Sequence, residues 1–426
     1  MTSLTYLLTA TITAIFFLVV LSYYGLLFIE RKKRVQEKKF KSITIIIPAR
    51  NEEEHIAQCI RAVLTASFQG KKQIIIIDDA SNDSTTTVVR EAIQQTTHDA
   101  SILLLQNKKH SGKSYCLNRG LKLANGELIA VVDADSIIAK NALAIMAQEL
   151  GRKNVAGAAC VVKTKNRGKF LNAWVHIDLI YGSFLRSLMA KINANVVTPG
   201  PLSMYRKSAL LEIHGFSTQG FSEDMDVAVR LIRKGHHISF VEEAVSETNM
   251  PITIKSFFRQ RMRMARGMIY FLKKHTQVNT KMIDIYTMPL FAFTYFQAVI
   301  MGLITLYQIV FGYWTYFVSQ GVLMNWYVVR FFFEWFSIVG FVKWTFAVLS
   351  GTQPLTLASA AGISATVLTY PLFIMAIIKY DKKIDLLHII PLCFMFPFWL
   401  LLMIIYTICI PEILFSKQYN KWKKNE

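Results

Sequence analysis

An apolar run over residues 5–29 opens the chain and closes on "FIERKKR". No positive charge precedes it, no small-residue cleavage site follows it, and it is too long for a signal peptide's apolar core. It therefore predicts an uncleaved signal-anchor helix, and the basic cluster 31–34 places the C-terminal end of that helix in the cytosol. From residue 40 to 250 the pattern changes to short β-branched runs: "SITIIIP", "QIIIIDD", "ILLLQ", "ELIAVVDAD" and "VAGAACVV". Amphipathic stretches separate the first four, among them 113–124 and 52–66, which opens with three glutamates at the positive end of a helix dipole. Continuous apolar strands alternating with helices predict an α/β domain, a sheet covered on both faces. Ligands of such sheets bind at the carboxyl ends of the strands. That rule points to Pro48, Ala49 and Glu52, to Asp78 and Asp79, and to Asp133-Ala134-Asp135.

Two further stretches, 168–190 and 252–275, have apolar residues at helical spacing mixed with Lys and Arg, a pattern suited to the membrane interface. Beyond residue 285 the chain is apolar again, with candidate spans at 286–318, 327–350, 355–378 and 386–411. A crossing needs about 20 residues, so the first run is long for one span and short for two. Four crossings return the basic tail "KQYNKWKKNE" to the cytosol, as the positive-inside rule favours, but put "KYDKKID" (379–385) outside, which the same rule disfavours. The expected organisation is a signal anchor with its basic flank (1–34), a cytosolic domain (35–250), an amphipathic interface helix (251–283) and about four transmembrane helices with a basic tail (284–426).

Composition agrees. A hydrophobic share of 53% and a mean hydropathy of +0.34 belong to the membrane class. The net charge of +20 fits positive-inside loops and contact with membrane lipids or phosphate. It is not gathered on an aromatic-interleaved module, which excludes nucleic acid as a partner. Five cysteines with no C-x-x-C or Cys/His spacing read as reduced thiols. His236-His237 would point to opposite faces of a strand, so the pair is not read as a metal site.

Acids at strand ends carry the candidate chemistry. In an extended D-x-D the carboxylates of Asp133 and Asp135 point to one side and suit a hard divalent cation that also grips phosphate oxygens. "PARNEEEHI" offers a turn and a helix N-terminus to a nucleotide, and "KHSGKSYCLNRGL" sets Lys113 after the flexible Gly112, suited to a phosphate. "SEDMD" adds Glu223 and Asp224, and "FFRQRMRMARG" (257–267) adds four arginines without an acid.

This ordered set resembles the processive family-2 glycosyltransferases, the group of cellulose, chitin, hyaluronan and poly-N-acetylglucosamine synthases. The likeness rests on D-D after the second strand, D-x-D after the fourth, an E-D pair, and a version of Q-x-x-R-W; "GPLSMYR" (200–206) is similar to the hyaluronan-synthase-like part of the family. It implies a GT-A-type cytosolic domain, a mixed sheet with helices on both faces, inserted between transmembrane helices of a multi-pass plasma-membrane protein. It further implies a UDP-sugar donor, Mg²⁺ or Mn²⁺ as cofactor, and a growing glycan or a lipid as acceptor. By residue, the resemblance assigns Asp78 and Asp79 to the uracil and ribose and Asp133 to the ribose and phosphates. Asp135 becomes the metal ligand, Asp224 in "SED" the general base, and Gln260 and Arg263 the contacts to the pyrophosphate. Gly200 and Pro201 would bring backbone close to a sugar. A single displacement at the anomeric carbon would invert the configuration and give a β-linked product.

One departure is Met264, which stands where the family has the tryptophan that stacks under the acceptor sugar. Methionine mimics a flat aromatic face only loosely, so long-chain processivity is what this change touches. On a helix, Gln260, Arg263 and Gly267 share one face while Arg261 points away, so the arginine-rich stretch is read as an active-site face backed by a face for anionic headgroups. Arg330 and Glu334 lie four apart in an apolar run, with Lys343 beyond them. Two readings stand: an ion pair near the interface with Lys343 snorkelling, or the lining of a sugar channel. Non-processive glycosylation of a lipid, and a transporter with a nucleotide-sensing domain, are the competing functions.

Overall fold

The computed structural model describes residues 3–31, 35–95, 100–220, 222–277 and 280–410. The basic residues 32–34 and the tail 417–426 lie outside them. The chain begins with α1 (Ser3–Phe28). One eight-stranded sheet follows: β1 (Ser42–Ala49), β2 (Lys71–Asp78), β3 (Ser101–Gln106), β4 (Leu128–Val131), β5 (Ser136–Ile138), β6 (Val155–Thr164), β7 (Ser203–Arg206) and β8 (His237–Thr248). Its order is β3-β2-β1-β4-β7-β6-β8-β5. Strands β1 to β4 pair in parallel, while β7 runs antiparallel to both β4 and β6, making the sheet mixed.

The isoleucine runs are buried on both faces, which is why they do not alternate with polar residues. Ile43, Ile45, Ile74 and Ile76 pack with α2 (Ile56–Thr65) and α5 (Ala142–Leu150), and α3 (Thr85–Gln94) lies beside α2. Ile46, Ile75 and Ile77 pack with α4 (Lys113–Leu123) on the other face, where α7 (Lys207–Glu212) and α8 (Glu223–Arg233) also sit. A third cluster joins Ala159 and Val161 of β6 to α6 (Phe170–Lys191), to α1 and to the later helix α13 (Leu357–Asp381). The three glutamates 52–54 do not open a helix. They form a turn, and α2 starts at Ile56 behind His55. The five cysteines are free, and His236 turns to Glu212 while His237 is buried at the start of β8.

After β8 come α9 (Ile254–Lys274), capped by Thr253 with Ser256, and then α10 (Met288–Tyr316), α11 (Trp326–Phe336), α12 (Ile338–Leu349), α13, α14 (Leu386–Cys393) and α15 (Met395–Ile408). Among the described residues three helices are long and apolar enough to cross a membrane, within Tyr6–Phe28, Ile283–Gln320 and Leu357–Asp381. The other two expected spans are broken: α11 and α12 meet at 84°, and α14 and α15 at 61°. The sharp turn between α11 and α12 lets Lys343 reach Glu334 at 2.8 Å, while Arg330 reaches it at 2.9 Å. The charges are thus self-paired, with Lys343 joining the pair instead of snorkelling away from it.

One expectation fails on topology. The segment 379–385 is not on the far side of the membrane from the domain. The Asp381 carboxylate is only 4% exposed and meets Lys163 of β6 at 2.8 Å, Arg167 at 3.3 Å, His176 of α6 at 2.6 Å and His388 of α14 at 2.9 Å. Lys379 pairs with Glu242 at 2.7 Å. The C-terminal end of α1 meets the same domain, through Arg31 with Glu149 and Lys191 with the Leu26 and Leu27 carbonyls. The next crossing, α10, leaves from it, since Asp284 pairs with Arg233 of α8. A chain that leaves the domain at Asp284 and is back at Asp381 crosses an even number of times. Helices α10 and α13 are the two long apolar helices between these points, and the α11–α12 pair, bent by 84°, joins them. This places Lys379, Lys382 and Lys383 on the domain's side and removes the conflict with the positive-inside rule.

The ring and carboxylate atoms around Asp381 lie within 4.8 Å of one another, close enough for a metal. The hydrogen bonding argues otherwise. The Thr164 N–H donates to His176 Nδ1 at 3.3 Å, so the neutral ring keeps its proton on Nε2 and donates it to Asp381. Lys163 and Arg167 already neutralise the carboxylate. The cluster is a clasp between span and domain. Removing one partner of a buried ion pair costs about 3–5 kcal/mol, so Asp381→Ala is expected to lower the chemical-denaturation midpoint of the solubilised protein strongly. His388→Ala, which spares the Lys163, Arg167 and His176 contacts, is expected to lower it less.

Candidate active site

The carboxyl ends of β1, β2 and β4 are laced together by short polar contacts. Pro48 and Ala49 end β1, and the Ala49 carbonyl accepts from the Asp79 N–H at 2.8 Å. Asn51, at φ 52°, donates its N–H to Ser81 Oγ at 3.0 Å and accepts from the Asn82 N–H at 2.9 Å. Glu52 is buried beside them and donates its N–H to Thr85 Oγ1 at 2.7 Å. Asp78 is buried and accepts from the Ser81 hydroxyl.

Asp79 is fully buried and its carboxylate accepts from Asn107 Nδ2 (2.6 Å), His110 Nδ1 (2.7 Å), Ser111 N–H (2.9 Å) and Gly112 N–H (2.8 Å). Burial alone would raise this carboxyl, but these hydrogen bonds outweigh it and hold it below the usual carboxylate range. In this structure the Asp79 side chain is committed to the loop that leads into α4. That loop sets Lys113 at the first position of the helix. Sequence reading passed over Asn107 and His110, although His110 stands in the quoted "KHSGK".

Lys113 is the centre of the acidic group. Its Nζ lies 2.6 Å from Asp133 Oδ1 and 3.4 Å from Glu223 Oε1. Burial would lower this ammonium, and the two carboxylates outweigh it and hold it well above the usual lysine value. Asp133 is placed by its own N–H, which donates to the Gly200 carbonyl at 3.1 Å. The antiparallel pairing of β7 with β4 explains this meeting: Val131 faces Ser203, so the segment entering β7 passes the carboxyl end of β4. A Cβ on Gly200 would collide with Lys113 Nζ and the Asp133 carboxylate, so a side chain here would push that pair out of place. Pro201 follows, its carbonyl accepting from Ser246 Oγ at 3.1 Å.

The D-x-D is not extended. Strand β4 ends at Val131, and residues 133–135 form a turn closed by the Ser136 N–H on the Asp133 carbonyl at 3.0 Å. A tight turn, not strand alternation, therefore keeps the two acids near each other. Asp135 is half-buried and accepts from Thr248 Oγ1 at 3.2 Å. Beneath the turn, the thiol of Cys59 is pushed up by burial and then by the charges of Asp135, Asp133 and Glu52. Asp133 and Asp135, at the carboxyl end of β4, offer the hard oxygen atoms that Mg²⁺ and Mn²⁺ prefer, so these two residues fit such an ion.

Asp224 follows Glu223 at the N-terminus of α8, behind Ser222, which occupies the cap position without making a side-chain cap bond. The Asp224 carbonyl accepts from Thr198 Oγ1 at 2.7 Å, and Tyr205 OH donates to that hydroxyl at 2.7 Å. Tyr205 stands in the quoted "GPLSMYR" and Thr198 just before it, but neither was given a role. Burial, and then the neighbouring Glu223 charge, push the Asp224 carboxyl up to about 7.

The structure thus brings Lys113, Asp133, Glu223 and Gly200 into contact. Among the described residues no hydrogen bond or ion pair joins Gln260, Arg263 or Met264 to them. Gln260 lies 3.8 Å from Met250 Sδ, Arg263 is half-buried, and Met264 is 54% exposed. The outward face of α9 is not a headgroup surface at Arg261. That guanidinium pairs with Asp178 of α6 at 2.8 Å and lies over the rings of Phe257 and Phe398. An amphipathic pattern cannot tell lipid from a packed neighbouring helix.

Residues 44–213 match the family model "Glycosyl transferase family 2". Among curated proteins, the chain is 27% identical to a probable glycosyltransferase of Bacillus subtilis (strain 168), over 62% of this chain and 65% of that protein. It is 28% identical to an N-acetylglucosaminyltransferase of Neorhizobium galegae, over 56% and 57%, and 23% identical to a poly-β-1,6-N-acetyl-D-glucosamine synthase of Staphylococcus aureus (strain COL), over 56% and 57%. The chain therefore spans somewhat more than half the length of these relatives. A mannosyltransferase of Pyrobaculum calidifontis, solved with GDP-Man and Mn²⁺, superposes with a TM-score of 0.60 at 17% identity, covering 89% of this chain and 99% of that one. The fold is that of the GT-A glycosyltransferases. Gly200→Ala is expected to displace Lys113 from Asp133 and to lower sugar-nucleotide turnover by about 10²-fold, with circular dichroism unchanged.

Proposed function

We propose that this chain, whose residues 44–213 match the family-2 glycosyltransferases, is an inverting membrane enzyme that transfers sugar from a UDP-sugar and extends a β-linked glycan at the membrane. The observation that carries the reading is the placement of Asp224, with its raised carboxyl, beside Glu223 and the Lys113–Asp133 pair. A base poised near the working pH is both deprotonated often enough and basic enough to take a proton from an acceptor hydroxyl. Lys113 and Arg263 supply fixed positive charge for a diphosphate leaving group, and Pro48, Ala49, Glu52, Asp78 and Asp79 shape the nucleotide side. Asp135 and Asp133 would hold Mg²⁺ or Mn²⁺, which supplies further neutralisation of the diphosphate when bound. Attack opposite the leaving group inverts the anomeric centre. Two of the relatives are named for N-acetylglucosamine, so UDP-N-acetylglucosamine is the first donor to test. Lys379, Lys382 and Lys383 lie on the domain's side of the spans, which supports a cytosolic domain at the plasma membrane.

The exposed Met264 favours a second reading, in which a lipid acceptor receives one sugar and is released. Met264→Trp separates the two. If weak stacking limits extension, the variant is expected to lengthen the product on gels; an unchanged single-sugar product would favour the lipid acceptor.

The Asp224 carboxyl is raised to about 7, so its protonated fraction grows as pH falls through neutrality and the base is lost. UDP release by the solubilised protein is expected to fall about tenfold per unit below pH 7. Asp224→Asn is expected to cost about 10²–10⁴-fold in rate while UDP binding persists. A nucleotide-sensing transporter would keep its function in that variant.

A further inference from the structure

An open cleft of about 570 Å³ lies where α6, α11, α14 and α15 meet. Its walls are Phe170 and Trp174 of α6, Phe332, Phe333 and Phe336 of α11, and Phe394 after α14, among other apolar residues. The wall has one N–H of consequence, and Trp174 Nε1 already donates it to the Pro391 carbonyl at 3.0 Å. A sugar would find no polar partner there, whereas a hydrocarbon chain would lose nothing. The cleft starts at Phe170, directly after "KTKNRGK" (163–169), a segment with four cations and no acid. Lys163 and Arg167 are committed to Asp381, while Lys165, which also donates to Gln58 Oε1 of α2 at 2.5 Å, and Lys169 are exposed. The Asp381 clasp sets this segment on the domain's side of the spans. An apolar slot beginning at a basic segment fits a ligand that is hydrocarbon at one end and anionic at the other.

We propose that this cleft seats an acyl chain of one anionic phospholipid from the domain-side leaflet, with its phosphate against Lys165 and Lys169. The site is separate from the acidic group at the sheet ends and does not depend on the sugar chemistry.

The test uses the full chain in nanodiscs of equal phosphatidylglycerol and phosphatidylcholine, with a photoreactive diazirine on the acyl chain of one lipid or the other. After photolysis, labelled peptides are mapped. Phosphatidylglycerol is expected to label peptides of α6, α11 and α14 in excess of phosphatidylcholine. Lys165→Gln with Lys169→Gln is expected to reduce that excess about tenfold, leaving the label on α1 and α10 unchanged. Ile390→Trp, which narrows the cleft, is expected to reduce labelling by both lipids there. Equal labelling of the cleft by the two lipids, or labelling spread over α1, α10 and α13 as their exposed apolar surface dictates, would overturn the proposal. So would native mass spectrometry showing another class of amphiphile held there in place of phosphatidylglycerol. Should the double variant fail to fold, the comparison of the two lipids on the unaltered chain still decides.

Discussion

A single buried ammonium allows the acids of the site to collect. Asp133 comes from the end of β4 and the adjacent Glu223 and Asp224 from the start of α8, and carboxylates crowded in a cavity of low dielectric drive one another toward protonation. Lys113 stands between Asp133 and Glu223 and offsets that repulsion. Its position is determined by structure on every side. Asp79 holds the loop that begins α4, Gly200 leaves the room that a Cβ would take, and the antiparallel β7 delivers Gly200 to the end of β4. The register of the sheet thus sets the electrostatics of the site, and through them the raised carboxyl of Asp224.

A second buried carboxylate ties this domain to its spans. Asp381 collects Lys163, Arg167, His176 and His388, and in doing so fixes on which side of the membrane α13 ends. Helix α6 lies in the middle of this arrangement. His176 faces the clasp, whereas Trp174 and Asp178, one helical turn apart, face the cleft and Arg261 of α9. Side chains of α6 thus touch the α/β domain, α9 and the C-terminal helices at once, and a displacement of α6 would be felt at all three.

The isoleucine runs, the α4 helix and the first span were legible because each is a local property. A strand buried on both faces must be continuously apolar, and a crossing helix must be long and apolar. Asp78, Asp79, Asp133 and Asp135 could be placed for the same reason, since strand ends are where such sheets bind. The places where local reasoning failed share another cause. Glutamates 52–54 fall in a turn because their backbone is bonded to the neighbouring loop, at Thr85 and Asp83. The D-x-D acids converge through a turn, and Arg261 meets an aspartate and two aromatic rings instead of headgroups. In each case the deciding partner is remote in the chain.

The sequence by itself determined that this is a membrane protein with an α/β domain whose strand ends carry acids, because hydrophobic periodicity and residue chemistry act through near neighbours. The tertiary structure alone decided which acid is bonded to a loop, which is held by Lys113, which carries the raised carboxyl, and on which side of the membrane Asp381 lies. Those outcomes depend on hydrogen bonds and ion pairs between residues from 20 to more than 200 positions apart, which no local pattern encodes.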